Sequence, residues 1–234
     1  MRIVTVLILL FTGFTAFAQW DVGAGVQVNF PLMYNKAVGD YNHSLGAFGP
    51  AIRAKYYPRN GAFYPSFSAN FTQVRLPLVK EGGTVVGAIL QQLNFTLAAN
   101  VRKVFENNRE LHYGLGIGAS HFSDVALEIT GSDQGNIASI DAAATGPIQR
   151  WVPAVQPFIE YVFPMSQEKP LFVGIGGQVQ YIYFFDDGTS YDVHVVNKQY
   201  QQQRLKAALS GHMVNPGVQL TVYYRFGQKD GYGY

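Results

Sequence analysis

The sequence contains no cysteine and little charge. Without cysteine, disulfide bonds, thiol catalysis and cysteine-ligated metals are excluded. Charged residues make up 14% of the 234 residues, against about a quarter in a soluble domain, so few groups are available to hydrate a surface. The formal net charge is +2 with both signs scattered, which is not the basic footprint of a nucleic-acid-binding protein. No nucleic-acid partner is therefore expected.

Long apolar runs are also scarce, and the one at the N-terminus predicts export. Arg2 precedes an apolar run over residues 3–11, and Ala16-Phe17-Ala18 is a small-residue cleavage pattern. The uncharged stretch 3–18 has 16 residues, shorter than the about 20 that span a bilayer. We therefore expect residues 1–18 to be a signal peptide and residues 19–234 to be the mature domain. No later segment is apolar for long enough to predict a transmembrane helix.

Alternation with a period of two residues runs through the mature domain. Trp20 and Val22 share one face of the first such segment, whereas Asp21 and Gly23 share the other. Two chemically different faces are typical of β-strands. Eight such segments can be counted, near residues 20–30, 48–57, 63–74, 86–105, 111–122, 151–163, 171–185 and 217–226.

The connections between these segments alternate in length. Short turns are expected at residues 58–61, 106–110 and 164–170, and longer loops at residues 31–47, 76–84, 123–150 and 186–211. Short turns on one rim and long loops on the other are typical of outer-membrane barrels, in which the loops are extracellular. The sequence therefore predicts an all-β fold, an eight-stranded antiparallel up-and-down transmembrane β-barrel.

Two local features modify this expectation. Residues 197–209 are rich in helix formers and predict a short helix in the last loop. Pro50, Pro65, Pro153 and Pro157 fall within predicted strands, where proline cannot donate to the ladder. We expect these strands to be bulged or to begin later.

Alternation alone does not decide which face of the barrel is inside. If the apolar face points outward, it meets lipid, and the aromatic residues near the strand ends form the two girdles of a membrane barrel. If it points inward, it lines the ligand cavity of a soluble, lipocalin-like carrier. The opposite face is mostly glycine, serine, threonine, asparagine and glutamine, which is poor in charge for a solvated exterior and favours the membrane barrel.

The leader pattern, the eight segments and the final strand GVQLTVYYRF resemble the small outer-membrane β-barrels of Gram-negative bacteria. This class includes the OmpA and OmpX types and the PorT-like barrels of the Bacteroidota. Alternate apolar residues from Val218 to Phe226 resemble the signal read by the barrel assembly machinery, although a short tail, residues 227–234, follows here. The resemblance implies an outer-membrane location among lipid and lipopolysaccharide, with that machinery as a partner during biogenesis.

Charged residues on the polar phase predict how the barrel interior is filled. Six of them fall near the short-turn rim: Asp21, Arg53, Lys55, Arg102, Glu160 and Arg225. Side chains just fill an eight-stranded barrel, and buried charges require partners. We expect an ion-pair cluster in which each acid meets a cation, and in which water, a carbonyl or an anion satisfies the excess cations. A structural plug is the main interpretation, and a gate or ion path the alternative.

An enzymatic alternative rests on one short motif. His121 and Ser123 lie two residues apart on the outward phase of the fifth strand, where an acyl ester at headgroup depth would reach them. A histidine-activated serine, with Glu128 or Asp124 orienting the imidazole, is a workable nucleophile. The spacing is similar to that in outer-membrane lipid A deacylases. Both residues are also ordinary in a membrane interface, so the main expectation is that the protein is not an enzyme.

Binding through the loops is the main functional expectation. Tyr34, Tyr41, Tyr191 and Tyr200 lie in the long loops, and tyrosine is enriched at interfaces, although the membrane girdle is the alternative role. The expected partner is an extracellular or envelope component that the sequence does not identify. No cofactor and no metal are expected, because Asp186-Asp187-Gly188 is first a turn signal and His43 and His194 stand alone.

Overall fold

The computed structural model describes most of the predicted mature domain. The described residues are 19–35, 40–43, 47–58, 62–81, 84–131, 137–144, 150–166, 169–184, 190–197, 202–208 and 211–227. The expected signal peptide, the tail beyond residue 227 and Tyr200 lie outside them. Within these ranges, no helix is both long and apolar enough to cross a membrane.

The described residues contain thirteen strands and one 3-10 turn. In chain order they are β1 (Gln19–Asn29), β2 (Leu32–Asn35), β3 (Asp40–His43), β4 (Ala47–Tyr57), β5 (Phe63–Glu81), β6 (Thr84–Val104), the turn Glu106–Asn108, β7 (Glu110–Gly131), β8 (Ile137–Ala144), β9 (Arg150–Pro164), β10 (Leu171–Phe184), β11 (Ser190–Asn197), β12 (Gln202–Ala208) and β13 (Gly211–Gly227).

Eight of these strands close into an antiparallel barrel. The order is β1-β4-β5-β6-β7-β9-β10-β13, and β13 pairs back onto β1 from Gln19↔Gly227 to Asn29↔Gly217. Closure leaves no barrel strand with an open edge. The predicted eight-stranded antiparallel barrel is confirmed. Gln19, Gly227 and the ends of β4, β6 and β9 lie at one end of the barrel, the short-turn rim; the opposite end is the long-loop rim.

The barrel wall is taller than predicted on one side. The loop expected at residues 76–84 is wrong, because β5 and β6 stay paired as far as Glu81↔Thr84. β5, β6 and β7 have 19, 21 and 22 residues, whereas a tilted strand crosses a bilayer in about 9–11. These three strands therefore continue well beyond one membrane thickness at the long-loop rim.

The long loops carry strands of their own. β12, β11 and β8 form a separate three-stranded antiparallel sheet, and the β2–β3 hairpin pairs onto β13. The helix expected at residues 197–209 is wrong: Gln202–Ala208 is a strand, paired with β11 from Val196↔Gln202 to Ser190↔Ala208. Helix propensity differs by only a few tenths of a kcal/mol per residue among ordinary side chains, and ladder pairing overrides it.

The four prolines do not bulge the barrel strands or delay their start, so that expectation is also wrong. Pro50, Pro65, Pro153 and Pro157 each pair in register with one neighbouring strand. At each of the four prolines, the pairing with the other neighbouring strand has ended or is interrupted. Each proline therefore lies where its missing N–H is not needed for a second hydrogen-bonded ladder, although every barrel strand has two neighbours.

The barrel is polar inside and apolar outside. Large apolar side chains point outward, such as Ile117 at 66% exposure, whereas Gln156 on the inward phase is 1% exposed. Most fully buried side chains are amides, hydroxyls or charged groups. This burial is the reverse of that in a soluble barrel. The soluble-carrier alternative is therefore wrong for the described residues, because their apolar face points outward and not into the lumen.

Aromatic side chains mark both ends of the apolar outer band. Trp20 packs on Tyr56 at the short-turn rim, with 4.8 Å between ring centroids. Toward the other rim, Trp151 contacts Phe95 at 5.9 Å and His121 at 4.8 Å. Aromatic rings at both ends of an apolar band are typical of membrane barrels, where they lie at headgroup depth.

Candidate functional site

The structure brings the six predicted charged residues together inside the barrel near the short-turn rim. Each of them lies on the inward-facing phase of its strand. Strand pairing places them side by side, because Asp21 lies opposite both Lys55 and Arg225. All six side chains are at most 10% exposed. They form two adjacent groups, one around Glu160 and one around Arg225.

Glu160 is the acceptor of the first group. Its carboxylate receives a hydrogen bond from Lys55 Nζ at 2.6 Å and one from the Tyr223 hydroxyl at 2.6 Å. Arg53 Nη1 lies 3.6 Å from the same carboxylate. The Lys55 ammonium also lies 4.0 Å from the centre of the Tyr223 ring. One buried carboxylate therefore compensates two buried cations.

Arg225 is the donor of the second group. It donates from Nε and Nη2 to Asp21 at 2.6 and 2.8 Å, and from Nη1 and Nη2 to Glu110 at 2.6 and 3.0 Å. Arg102 donates to the same Glu110 at 2.5 Å, and Tyr57 donates to Asp21 at 2.9 Å. Each guanidinium of this group is thus paired with at least one carboxylate, the arrangement that buried charge requires.

Glu110 and His112 are members of the cluster that the sequence analysis missed. The sequence pattern places residue 110 in a turn, but β7 begins there and Glu110 points inward. His112, two residues on, contacts Glu110 at 2.8 Å and the Tyr64 hydroxyl at 2.5 Å. Positions 110 and 112 share one phase of the strand alternation, and this is the sequence signal that could identify both residues as inward-facing. Glu110 is a third carboxylate beside the two predicted acids, and it compensates part of the expected excess of cations.

Every barrel strand contributes to this cluster. β10 supplies Phe172, whose ring lies 4.0 Å from the Arg225 guanidinium, and β13 supplies Tyr223. Gly174 leaves the space that the first group occupies, because a Cβ there would clash with Glu160 and would lie 2.8 Å from the Tyr223 ring. Side chains from all eight strands therefore fill the lumen at this level, as in a small barrel without a wide pore.

Toward the long-loop rim the buried side chains that the structure describes are uncharged. Gln92 donates to Asn94 at 2.8 Å and to Gln180 at 3.2 Å, and Asn94 donates to Asn70 at 2.7 Å. Ser120 also donates to Asn94. This amide layer joins β5, β6, β7 and β10 across the lumen above the ion pairs.

His121 and Ser123 of the enzymatic alternative point outward but do not form a catalytic pair. His121 and Ser123 flank the buried Phe122 and are partly exposed. The His121 ring packs on Trp151, and within the described residues no hydrogen bond joins His121 to Ser123. Glu128 lies farther along β7, opposite Gly87.

Replacing Ser123 by alanine is therefore expected to leave the acylation of lipid A unchanged. The measurement is mass spectrometry of lipid A from cells expressing either form, with Ser120→Ala, on the inward face of the same strand, as the control. A higher acylation state that appears only with Ser123→Ala would establish the deacylase.

Three of the four predicted binding tyrosines lie in the described residues, where they belong to two separate elements, and Tyr200 lies outside them. Tyr34 and Tyr41 lie opposite each other in the β2–β3 hairpin, and Tyr34 stacks on His212 with 5.4 Å between ring centroids. Tyr191 lies in β11, in the separate sheet. In the described part of the chain, no three His, Asp or Glu residues are grouped as they would be to hold a metal ion.

Comparison with known proteins shows the fold. No protein-family model and no curated protein matches this sequence. Among solved structures, Neisserial surface protein A is similar with a TM-score of 0.52 and 9% identity, covering 88% of this chain and 97% of its own. A major outer membrane protein from Thermus thermophilus is similar with a TM-score of 0.53 and 12% identity, covering 89% and 99%. The chain shares the fold of these outer-membrane proteins.

Proposed function

We propose that this protein is an integral outer-membrane barrel that holds a binding surface outside the cell and does not conduct solutes. In this proposal a Gram-negative cell exports it through a cleaved leader, residues 1–18, and the barrel assembly machinery inserts it. The observation that carries the proposal is the inverted burial: an apolar outer band encloses a lumen filled by buried ion pairs. The resemblance to PorT-like barrels of the Bacteroidota stays a prediction.

The filled lumen supports a structural and not a diffusive role. The two charged groups and the amide layer occupy successive levels of the interior, and side chains of facing strands bridge it, as Lys55 and Glu160 do. A solute would have to break several charge-assisted hydrogen bonds to pass, each stronger than an ordinary one. The contact surface then lies in the parts that project beyond the barrel.

Three projecting elements supply that surface at the long-loop rim. They are the β2–β3 hairpin with Tyr34 and Tyr41, the sheet of β8, β11 and β12 with Tyr191, and the extended ends of β5, β6 and β7. Loops on a rigid scaffold are where binding residues concentrate. We assign the partner to the extracellular or envelope side, with lipopolysaccharide and outer-membrane lipid around the barrel.

Single cysteine variants test this orientation, because the natural chain has no cysteine to interfere. His194 in β11 and Asn108 in the short turn after β6 are both exposed and lie at opposite ends. In the outer-membrane fraction, a membrane-impermeant maleimide is expected to label His194→Cys on intact cells and Asn108→Cys only after lysis. The reverse pattern, or recovery of the protein in a soluble fraction, would contradict the proposal.

A further inference from the structure

A cavity opens at the short-turn rim between the ends of three strands. Its volume is about 1430 Å³, and it lies where β9 and β13 end and β10 begins. The turn Glu106–Asn108, next along the rim, contributes Asn107 and Asn108 to its lining. In the proposed orientation this rim faces the periplasm, so the cavity lies at the level of the inner-leaflet headgroups.

The lower part of the cavity is apolar and faces the membrane. Tyr161 and Phe163 of β9 form one aromatic wall, and Tyr224 and Phe226 of β13 form the other, with ring centroids 6.3 and 6.4 Å apart within each pair. β10 lies between these two strands and begins at Leu171, opposite Tyr224, whereas β13 continues to Gly227. β9 ends opposite the start of β10, where Pro164 pairs with Phe172, so only β13 extends past β10, and an acyl chain would lie between the two aromatic walls.

The upper part of the cavity is cationic. Arg109 precedes Glu110, which pairs with Val162 at the end of β9, and Lys169 precedes Pro170, whose carbonyl accepts a hydrogen bond from the Arg225 N–H. The two cations therefore stand on opposite sides of the recess, one beside each aromatic wall.

Both cations are exposed, and within the described residues neither has an ion-pair partner. Arg225 also lines the cavity, but Asp21 and Glu110 already occupy its guanidinium. Glu106 is not among the lining residues. Two cations with no ion-pair partner among the described residues, beside an aromatic recess at a membrane interface, match an anionic headgroup attached to acyl chains.

We propose that this cavity binds one anionic phospholipid of the inner leaflet, with Arg109 and Lys169 on its phosphate and an acyl chain between the aromatic walls. The proposal rests on the membrane location proposed above. The lipid site also extends the proposed function, because it gives the short-turn rim a ligand of its own, separate from any partner at the long-loop rim.

The test is lipid retention by the full-length mature protein. The barrel is refolded into vesicles of equimolar phosphatidylglycerol and phosphatidylcholine, released in mild detergent, and the bound lipid is measured by native mass spectrometry. Phosphatidylglycerol is expected to be retained in preference. Arg109→Ala and Lys169→Ala are each expected to lower that preference about fivefold, the effect of one cation near an anionic surface. Lys103→Ala, a rim cation outside the cavity, leaves it unchanged.

Two further experiments distinguish the contribution of the lipid headgroup from that of the acyl chain. Tyr161→Ala is expected to lower the retention of both lipids, whereas Tyr113→Ala, an exposed tyrosine near the same rim but outside the cavity, is not. Inorganic phosphate is expected to displace no more lipid than chloride at equal ionic strength, and stronger displacement would indicate a free-anion site.

Equal retention of the two lipids, or equal losses with Lys103→Ala, overturns the lipid site while leaving the membrane barrel intact. Heat-modifiable gel mobility of each variant shows that it is folded. A protein that does not insert into the vesicles at all contradicts the proposed membrane location instead.

Discussion

Replacing Glu160 by glutamine is expected to lower the free energy of unfolding by about 3–5 kcal/mol, the usual cost of removing one partner from a buried ion pair. The substitution keeps the size of the side chain but leaves the charges of Lys55 and Arg53 uncompensated in the lumen. The measurement is urea unfolding of the barrel in lipid vesicles, followed by tryptophan fluorescence and gel mobility.

Two variants make this experiment specific to the ion pair. Glu106→Gln makes the same chemical change at an exposed site and is expected to alter stability by no more than about 0.5 kcal/mol. Lys55→Met combined with Glu160→Gln is expected to be less destabilised than Glu160→Gln alone, because the most closely paired cation is removed together with its partner. A loss below about 1 kcal/mol for Glu160→Gln would mean that water compensates the cations.

Placing arginine at Ile117 is expected to destabilise the membrane-inserted barrel by about 2–4 kcal/mol, the cost of a cation facing lipid near the bilayer midplane. Ile117 is exposed on the outer face and pairs with Leu97 and Val155, and it lies midway between Tyr113 and His121, which mark the two edges of the apolar band on β7. Unfolding from lipid vesicles measures this cost directly.

Phe63→Arg provides the matched control at the edge of the apolar band. Phe63 is 72% exposed at the start of β5, so an arginine there reaches the headgroups and is expected to cost about 0–1 kcal/mol. The difference between the two sites reports depth in the bilayer. If the outer face were in contact with water, Ile117→Arg would be no more destabilising than Phe63→Arg, and the membrane assignment would be wrong.

The sequence by itself determined the fold class and the two faces of the barrel wall. In a strand, the face of a residue depends only on whether its position is odd or even, so local alternation was enough to separate Val22 from Asp21 and Tyr224 from Arg225. The same parity placed the six charged residues on one phase, and the order of the strands brought them to one rim. These inferences needed no knowledge of which residues touch.

Only the tertiary structure decided which face is buried, where the strands stop and which partners the charges find. Alternation is equally compatible with a soluble barrel, and the inverted burial separates the two. β5 and β6 run through the expected loop, and Gln202–Ala208 is a strand despite its helical composition, because each gains a paired neighbour that is distant in sequence. Glu110 joins Arg225 across 115 positions. Such pairings depend on barrel closure, which no local propensity encodes.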